Sequence, residues 1–231
     1  MFGIIYIVLS LLAGKELAEI LLFTGKNAQE AGSRNGQHKA FCNQIWVLAA
    51  AAFGMGTLVF GWTTYMISWA ASEAGAKKPL IYGNTAVLII TAVVLVLLYW
   101  KRYRKTGIVW TVADRKLISD SRAFRKECIL FGFLLVFLTW IMFYVFYIRN
   151  GELYSGFSVY GDYAPHTAMM RSFSKGNNFP TEYPHFGGQD VKYHFMFQFL
   201  VGNLEFLGIR LDFAYNIESV LALLGFLMLL Y

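Results

Sequence analysis

The stretch 45–71, IWVLAAAAFGMGTLVFGWTTYMISWAA, contains no charged residue. A helix needs about 20 mostly apolar residues to cross about 30 Å of hydrocarbon, and this run is long enough. Two more charge-free runs meet the same test: 80–100, LIYGNTAVLIITAVVLVLLYW, and 128–148, CILFGFLLVFLTWIMFYVFYI. Three weaker runs accompany them. Residues 2–23 carry Lys15, Glu16 and Glu19, residues 193–207 carry Glu205, and residues 213–231 carry Glu218. Lys15 and Glu19 stand four apart and can pair on one helix face. Counting every run gives an all-α, polytopic integral membrane protein of about six transmembrane helices.

Composition agrees. The chain has 231 residues, 57% of them hydrophobic, 18% aromatic and only 15% charged. Soluble domains run nearer about 45–50% apolar and about 25% charged. Disorder, a collagen-like repeat and a disulfide-stapled miniprotein are excluded. The formal net charge is +6, but Lys and Arg fall in short clusters between apolar runs. A nucleic-acid binder would carry them as a stripe with polar surroundings, so we expect no nucleic-acid partner; the partner implied is the lipid bilayer.

Basic clusters set orientation through the excess of Lys and Arg in cytoplasmic loops. Residues 101–127 hold nine basic residues (Lys101, Arg102, Arg104, Lys105, Arg115, Lys116, Arg122, Arg125 and Lys126) against Asp114, Asp120 and Glu127. This segment is therefore expected inside, with Lys26, Arg34 and Lys39 on the same side. The turn 72–79 and the long loop 149–192 are then extracytoplasmic. The loop balances Arg149, Arg171, Lys175 and Lys192 against Glu152, Asp162, Glu182 and Asp190. Cys42 and Cys128 match no metal spacing and read as small apolar residues at the inner ends of spans. Residues 2–23 make a poor signal peptide, lacking a basic start and carrying charges where cleavage would fall. The last run stops at Leu230 and Tyr231 without a polar flank, so the chain is expected to be an N-terminal piece of a longer one. Two parts follow: membrane helices with a basic loop over 1–127, and a second membrane unit over 128–231.

The loop 149–192 and the run after it hold the residues that could do chemistry. In Tyr160-Gly161-Asp162-Tyr163-Ala164-Pro165-His166, Asp162 is placed as a helix N-cap, opening an amphipathic helix over 163–174 with Met169, Met170 and Phe173 on its apolar side. His166 lies four residues on, and a carboxylate beside an imidazole suits a general base as well as a structural cap. Gly176-Asn177-Asn178-Phe179-Pro180 reads as a helix stop. Pro184-His185-Phe186-Gly187-Gly188-Gln189-Asp190 is a tight turn, and Lys192-Tyr193-His194 enters the next run, where a tyrosine is also expected as a belt residue. His185, Asp190 and His194 are residue types that suit Zn or Mn, but their spacing fits no metal template.

Taken together, Gly-Asp162-Tyr-x-x-His166, Asn178-Phe179-Pro180, Pro184-x-Phe186-Gly-Gly and Lys192-Tyr193-His194, set in an outer loop after a charge-free span, resemble the GT-C superfamily of polytopic membrane glycosyltransferases. The likeness is to bacterial members related to the dolichyl-phosphate-mannose-protein mannosyltransferase group, and it covers about residues 128–231. Gly161 and Tyr163 depart from that family's adjacent acidic pair. The resemblance implies an enzyme of a bacterial-type plasma membrane that moves a sugar from a polyprenyl-phosphate donor to an acceptor on the extracytoplasmic side. It implies Asp162 as general base, with His166 orienting it. Arg171, Asp190, Lys192, Tyr193 and His194 would bind substrate, with Lys192, Arg171 or Arg149 neutralising the departing phosphate. The sugar, the acceptor and the cofactor are left open, a divalent cation being one candidate. A transporter-like protein or a partner-binding membrane subunit is the competing expectation. A transporter would need ionisable residues facing one another within the spans, and Glu16, Glu19, Glu205 and Glu218 are the candidates.

Overall fold

A computed structural model of the protein describes residues 2–23, 34–106, 122–157 and 160–231. The basic stretch 107–121, Lys26, and the side chains of Arg34, Lys39 and Cys42 lie outside the described residues. The elements are α1 (Phe2–Ala18), continued by a π-helical turn (Glu19–Phe23), α2 (Arg34–Glu73), α3 (Pro79–Thr106), α4 (Arg122–Val145), the strands β1 (Phe146–Arg149) and β2 (Glu152–Ser155), then α5 (Tyr160–Gly176), α6 (Met196–Phe206) and α7 (Leu211–Leu230).

Among the described residues four helices are long and apolar enough to cross a membrane: Ile45–Glu73, Pro79–Lys105, Phe124–Val145 and Leu211–Leu230. The all-α membrane class holds, with four such helices where the apolar runs suggest six. The difference is one of length. Helix α6 has 11 residues, a rise of about 16 Å, roughly half a bilayer core. Helix α1 has 17 residues, about 26 Å before its π-helical turn. The expected Lys15–Glu19 pair forms at 3.3 Å. The run 128–148 stops being helical at Val145, because its last residues turn into a hairpin.

Side-chain bonds fix which helix ends lie together. At one end, here the basic end, Arg102 near the close of α3 donates to Glu16 of α1 at 2.6 and 3.2 Å. At the same end Glu127 of α4 accepts from Trp46 Nε1 of α2 and from Tyr231 Oη, both at 3.0 Å. At the other end, the hairpin end, the amide of Gly3 donates to the carbonyl of Leu207 at 3.2 Å. There the carboxylate of Asp212 accepts from the amide of Ile148 at 2.9 Å and from Arg210 at 2.6 and 2.7 Å. Helix α7 thus runs antiparallel to α4 and brings Tyr231 to the basic end. Counting 193–207 as a crossing would have put Tyr231 at the opposite end.

The hairpin pairs β1 and β2 antiparallel, with Arg149 opposite Glu152. Its two-residue turn is Asn150-Gly151, with φ of 53° and 83°. Positive φ at both central positions is what a type I′ turn demands and what Asn-Gly supplies. Tyr147 and Tyr154 stack across the strands at 5.0 Å.

Helices α1 and α2 approach through small residues, Ser10 and Gly14 against Ala52 and Gly56. A Cβ on Gly14 would overlap the Ala52 carbonyl oxygen, and one on Gly56 would overlap that of Ser10. Close backbone approach through small residues is how membrane helices gain dispersion contacts when lipid is as apolar as leucine. Outward faces stay apolar, as with Phe133, Val136 and Trp140 of α4. The largest buried cluster takes Tyr6, Phe60 and Val87 from the first helices and Met170, Leu200, Val201, Leu204, Leu211 and Ala214 from the later ones.

Candidate functional site

Helices α5 and α6 form a layer across the hairpin end. Helix α6 is buried continuously from Gln198 to Leu204. A Cβ on Gly202 would overlap the Met170 carbonyl, so the two helices touch backbone to backbone. Below α6, Asn203 and Asn84 of α3 exchange two hydrogen bonds at 2.6 and 2.9 Å, both side chains buried. Phe173, Phe179, Phe199, Tyr65 and Leu80 pack where α5 and α6 meet α2 and α3. Tyr65 Oη and Thr181 Oγ1 bond at 2.8 Å. Ser72 Oγ donates to the Phe179 carbonyl at 3.0 Å. The layer is therefore fastened to the span ends.

Asp162 is not an N-cap. The helix starts three residues earlier than expected, at Tyr160, so Asp162 sits within its first turn. A carboxylate there still complements the helix dipole. Its side chain is exposed and makes no hydrogen bond or ion pair among the described residues. Met169, Met170 and Phe173 are buried, as the amphipathic reading expects. The helix ends at Gly176, followed by Asn177 at φ 52°. Tyr163 anchors the first turn from the other side. Its ring stacks on Phe146 at 4.7 Å and meets Tyr215 edge-on at 5.5 Å. Burial, and then the hydrogen bond with Tyr215, hold its phenol well above the ordinary tyrosine range.

His166 is half-buried and pairs with Gln198 rather than with Asp162. Gln198 Nε2 and His166 Nδ1 lie 2.8 Å apart. With the amide nitrogen as donor, Nδ1 is the acceptor of this bond. The other end of that amide, Gln198 Oε1, is buried without a partner among the described residues, as is Thr167 Oγ1 on α5. The Tyr193 ring lies 6.4 Å from the His166 ring and 3.8 Å from that of His194. His166, Gln198, Tyr193 and His194 thus form one cluster, with Asp162 one helical turn before it on α5. Tyr193 and His194 lie in the loop before α6, not at the start of a span.

The remaining candidates are spread out. Arg171 faces Glu205 of α6 at 3.5 Å, and Ser174 Oγ donates to the same carboxylate at 2.5 Å. This guanidinium is held in the α5–α6 joint. Asp190 is exposed and forms a bridge with Glu182 through the backbone. Lys192 is exposed and without an ion pair among the described residues. His185, Asp190 and His194 do not converge, and no group of three or more His, Cys, Asp or Glu residues able to hold a metal ion occurs among the described residues. Sequence reasoning missed Gln198, although an amide inside an apolar run is a recognisable signal for a polar partner across helices. No family model, no curated protein and no solved structure matches this chain.

Proposed function

We propose that this chain is a membrane glycosyltransferase. It would move a sugar from a polyprenyl-phosphate donor to an acceptor at the hairpin end, which we place on the extracytoplasmic face of a bacterial-type plasma membrane. The observation that carries the reading is the state of Asp162. It is an exposed carboxylate, free of partners among the described residues, one turn from an imidazole held by Gln198. A general base must be free to reach the proton it removes.

In this reading Asp162 takes the acceptor's hydroxyl proton while that oxygen attacks the anomeric carbon. The bond from that carbon to the phosphate oxygen breaks, and the polyprenyl phosphate leaves as an anion. Lys192, free of a competing carboxylate, offsets the charge growing on the phosphate. Arg171 is the weaker candidate for that task because Glu205 already holds it. Tyr193 and His194 line the interface where the lipid-linked donor would lie.

The test is sugar transfer by the full chain, reconstituted in vesicles with a radiolabelled polyprenyl-phosphate hexose. Asp162→Asn should lower turnover by about 10²–10⁴-fold, the range of a positioned general base, with its tryptophan fluorescence and elution volume unchanged. Transfer at the wild-type rate by a folded Asp162→Asn chain would remove Asp162 from the mechanism. Absence of transfer by the wild type would turn the reading toward a partner-binding subunit.

A further inference from the structure

Glu218 lies two turns into α7, only 4% exposed. It makes no hydrogen bond or ion pair among the described residues, and its Oε2 is buried without a partner. Among the described residues every other buried carboxylate is satisfied. Glu16 has Arg102 and Lys15, Glu127 has Trp46 and Tyr231, and Asp212 has Arg210 and the Ile148 amide. Glu218 instead faces a narrow cavity between α1, α2, α6 and α7, whose volume of about 10 Å³ is room for about one water molecule. Tyr6 and Ser10 of α1, Phe53 and Thr57 of α2 and Leu200 of α6 share its lining.

The groups facing this carboxyl are hydroxyls and hydrocarbon. Tyr6 is the one other titratable residue in the lining, and its phenol is bonded to Thr64 Oγ1 at 3.0 Å. Helix α2 presents no charge to the cavity, and neither does α6. Helix α4 packs against α7 through Phe131 and Leu138, against Val220 and Leu224. Arg210 and Asp212 are joined to each other at the hairpin end. A carboxylate buried in a membrane bundle with no cation or donor is far costlier than the same group carrying a proton. Three hydroxyl-bearing residues around a cavity with room for about one water can relay that proton to and from the carboxyl.

We propose that Glu218 is a proton-binding site. The carboxyl holds a proton in the folded chain at neutral pH and exchanges it through the cavity beside Tyr6, Ser10 and Thr57. This inference is independent of sugar transfer, since no residue of the Asp162 and His166 cluster lines the cavity. It equips the chain for proton-linked activity.

The experiment is labelling of the full chain in detergent with dicyclohexylcarbodiimide, read by mass spectrometry. The reagent reacts with a protonated carboxyl in an apolar setting. The acid proton moves to a carbodiimide nitrogen and the carboxyl oxygen bonds to the central carbon, with nothing lost. Glu218 should be labelled at pH 7, with Glu16 and Glu127 spared. Labelling should fall about tenfold per pH unit beyond its half-point, and Glu218→Gln should remove it. Infrared difference spectra of wild type against Glu218→Gln supply a readout that needs no reagent access, because a protonated Glu218 gives a carboxylic C=O band that the variant lacks. A folded wild type without that band at pH 7 would overturn the proposal. So would labelling that sodium ions suppress at fixed pH, because a metal ion would then be the occupant.

Discussion

Gly54 and Gly56 sit two residues apart on α2, and alanine at the two positions should act in opposite directions. A Cβ on Gly54 meets nothing within 4 Å. Relieving a glycine of its helix penalty there should stabilise the chain by up to about 1 kcal/mol. A Cβ on Gly56 would overlap the Ser10 carbonyl oxygen and stand 2.8 Å from Ser10 C and 3.0 Å from Ser10 Oγ. Carbon atoms are comfortable at about 3.5–4.0 Å, so α1 must retreat by roughly 1 Å. The nearest obstacles are backbone and cannot rotate aside. Forced overpacking of this kind costs about 1–3 kcal/mol. The same retreat stretches the Tyr6–Thr64 hydrogen bond, now 3.0 Å, which is worth about 0.6 kcal/mol in a membrane interior. After the propensity gain, Gly56→Ala should lose about 2 kcal/mol, so the two variants differ by about 3 kcal/mol. Equilibrium unfolding in mixed micelles, titrated with a denaturing detergent and followed by tryptophan fluorescence, measures both. For a chain of this size that gap corresponds to about 6–12 °C in Tm. If the variants fall within about 0.5 kcal/mol of each other, the range expected of unremarkable surface changes, the close α1–α2 approach is wrong.

Two further outcomes follow from the layer at the hairpin end. Asn203→Leu should cost about 1–3 kcal/mol, because it leaves the buried Asn84 Oδ1 without a donor while Asn84 Nδ2 keeps the Leu80 carbonyl, and the double change with Asn84→Leu should cost less than the sum of the singles; strict additivity in that cycle would refute the reciprocal pair. Burial, then the bond to Tyr215, raises the Tyr163 phenol above its ordinary 10.0. The folded chain therefore keeps a proton that the unfolded chain loses. The stability owed to that difference is complete below pH 10 and is lost as pH rises further. Tyr163→Phe should accordingly flatten the alkaline loss of stability, and an unchanged alkaline profile would contradict the assigned burial.

Much of the architecture was legible because hydrocarbon thickness leaves a length signature. Residues 45–71, 80–100 and 128–148 are apolar for long enough to need no tertiary context. The run 193–207 misled for the same reason. Its apolarity comes from burial between α5 and the span ends, and composition does not distinguish protein from lipid as the apolar surroundings. Asn150-Gly151 was readable as a hairpin turn, the strongest short-range signal of its kind, but it sits where a span seemed to be ending. At the candidate site, the amphipathic α5 and its stop were visible in local periodicity. The partner of His166 was not, because Gln198 comes from 32 residues away and depends on how α6 packs. Glu218 looked like a residue near a helix end; its isolation is a property of the four helices around it.

Helix α6 also bears on how the chain enters its membrane. Its 11 residues are too few to be taken up as a separate spanning segment, which needs about 17–25, and both of its ends emerge at the hairpin end. Biogenesis must therefore treat residues 149–210 as one stretch that stays on a single side between two insertion events, α4 before it and α7 after it. The cap assembles only once its floor exists: Asn203 has no Asn84, and Phe199 no Leu80, until α3 is already in place. The layer carrying Asp162 consequently depends on the spans beneath it, and damage to them should appear there first.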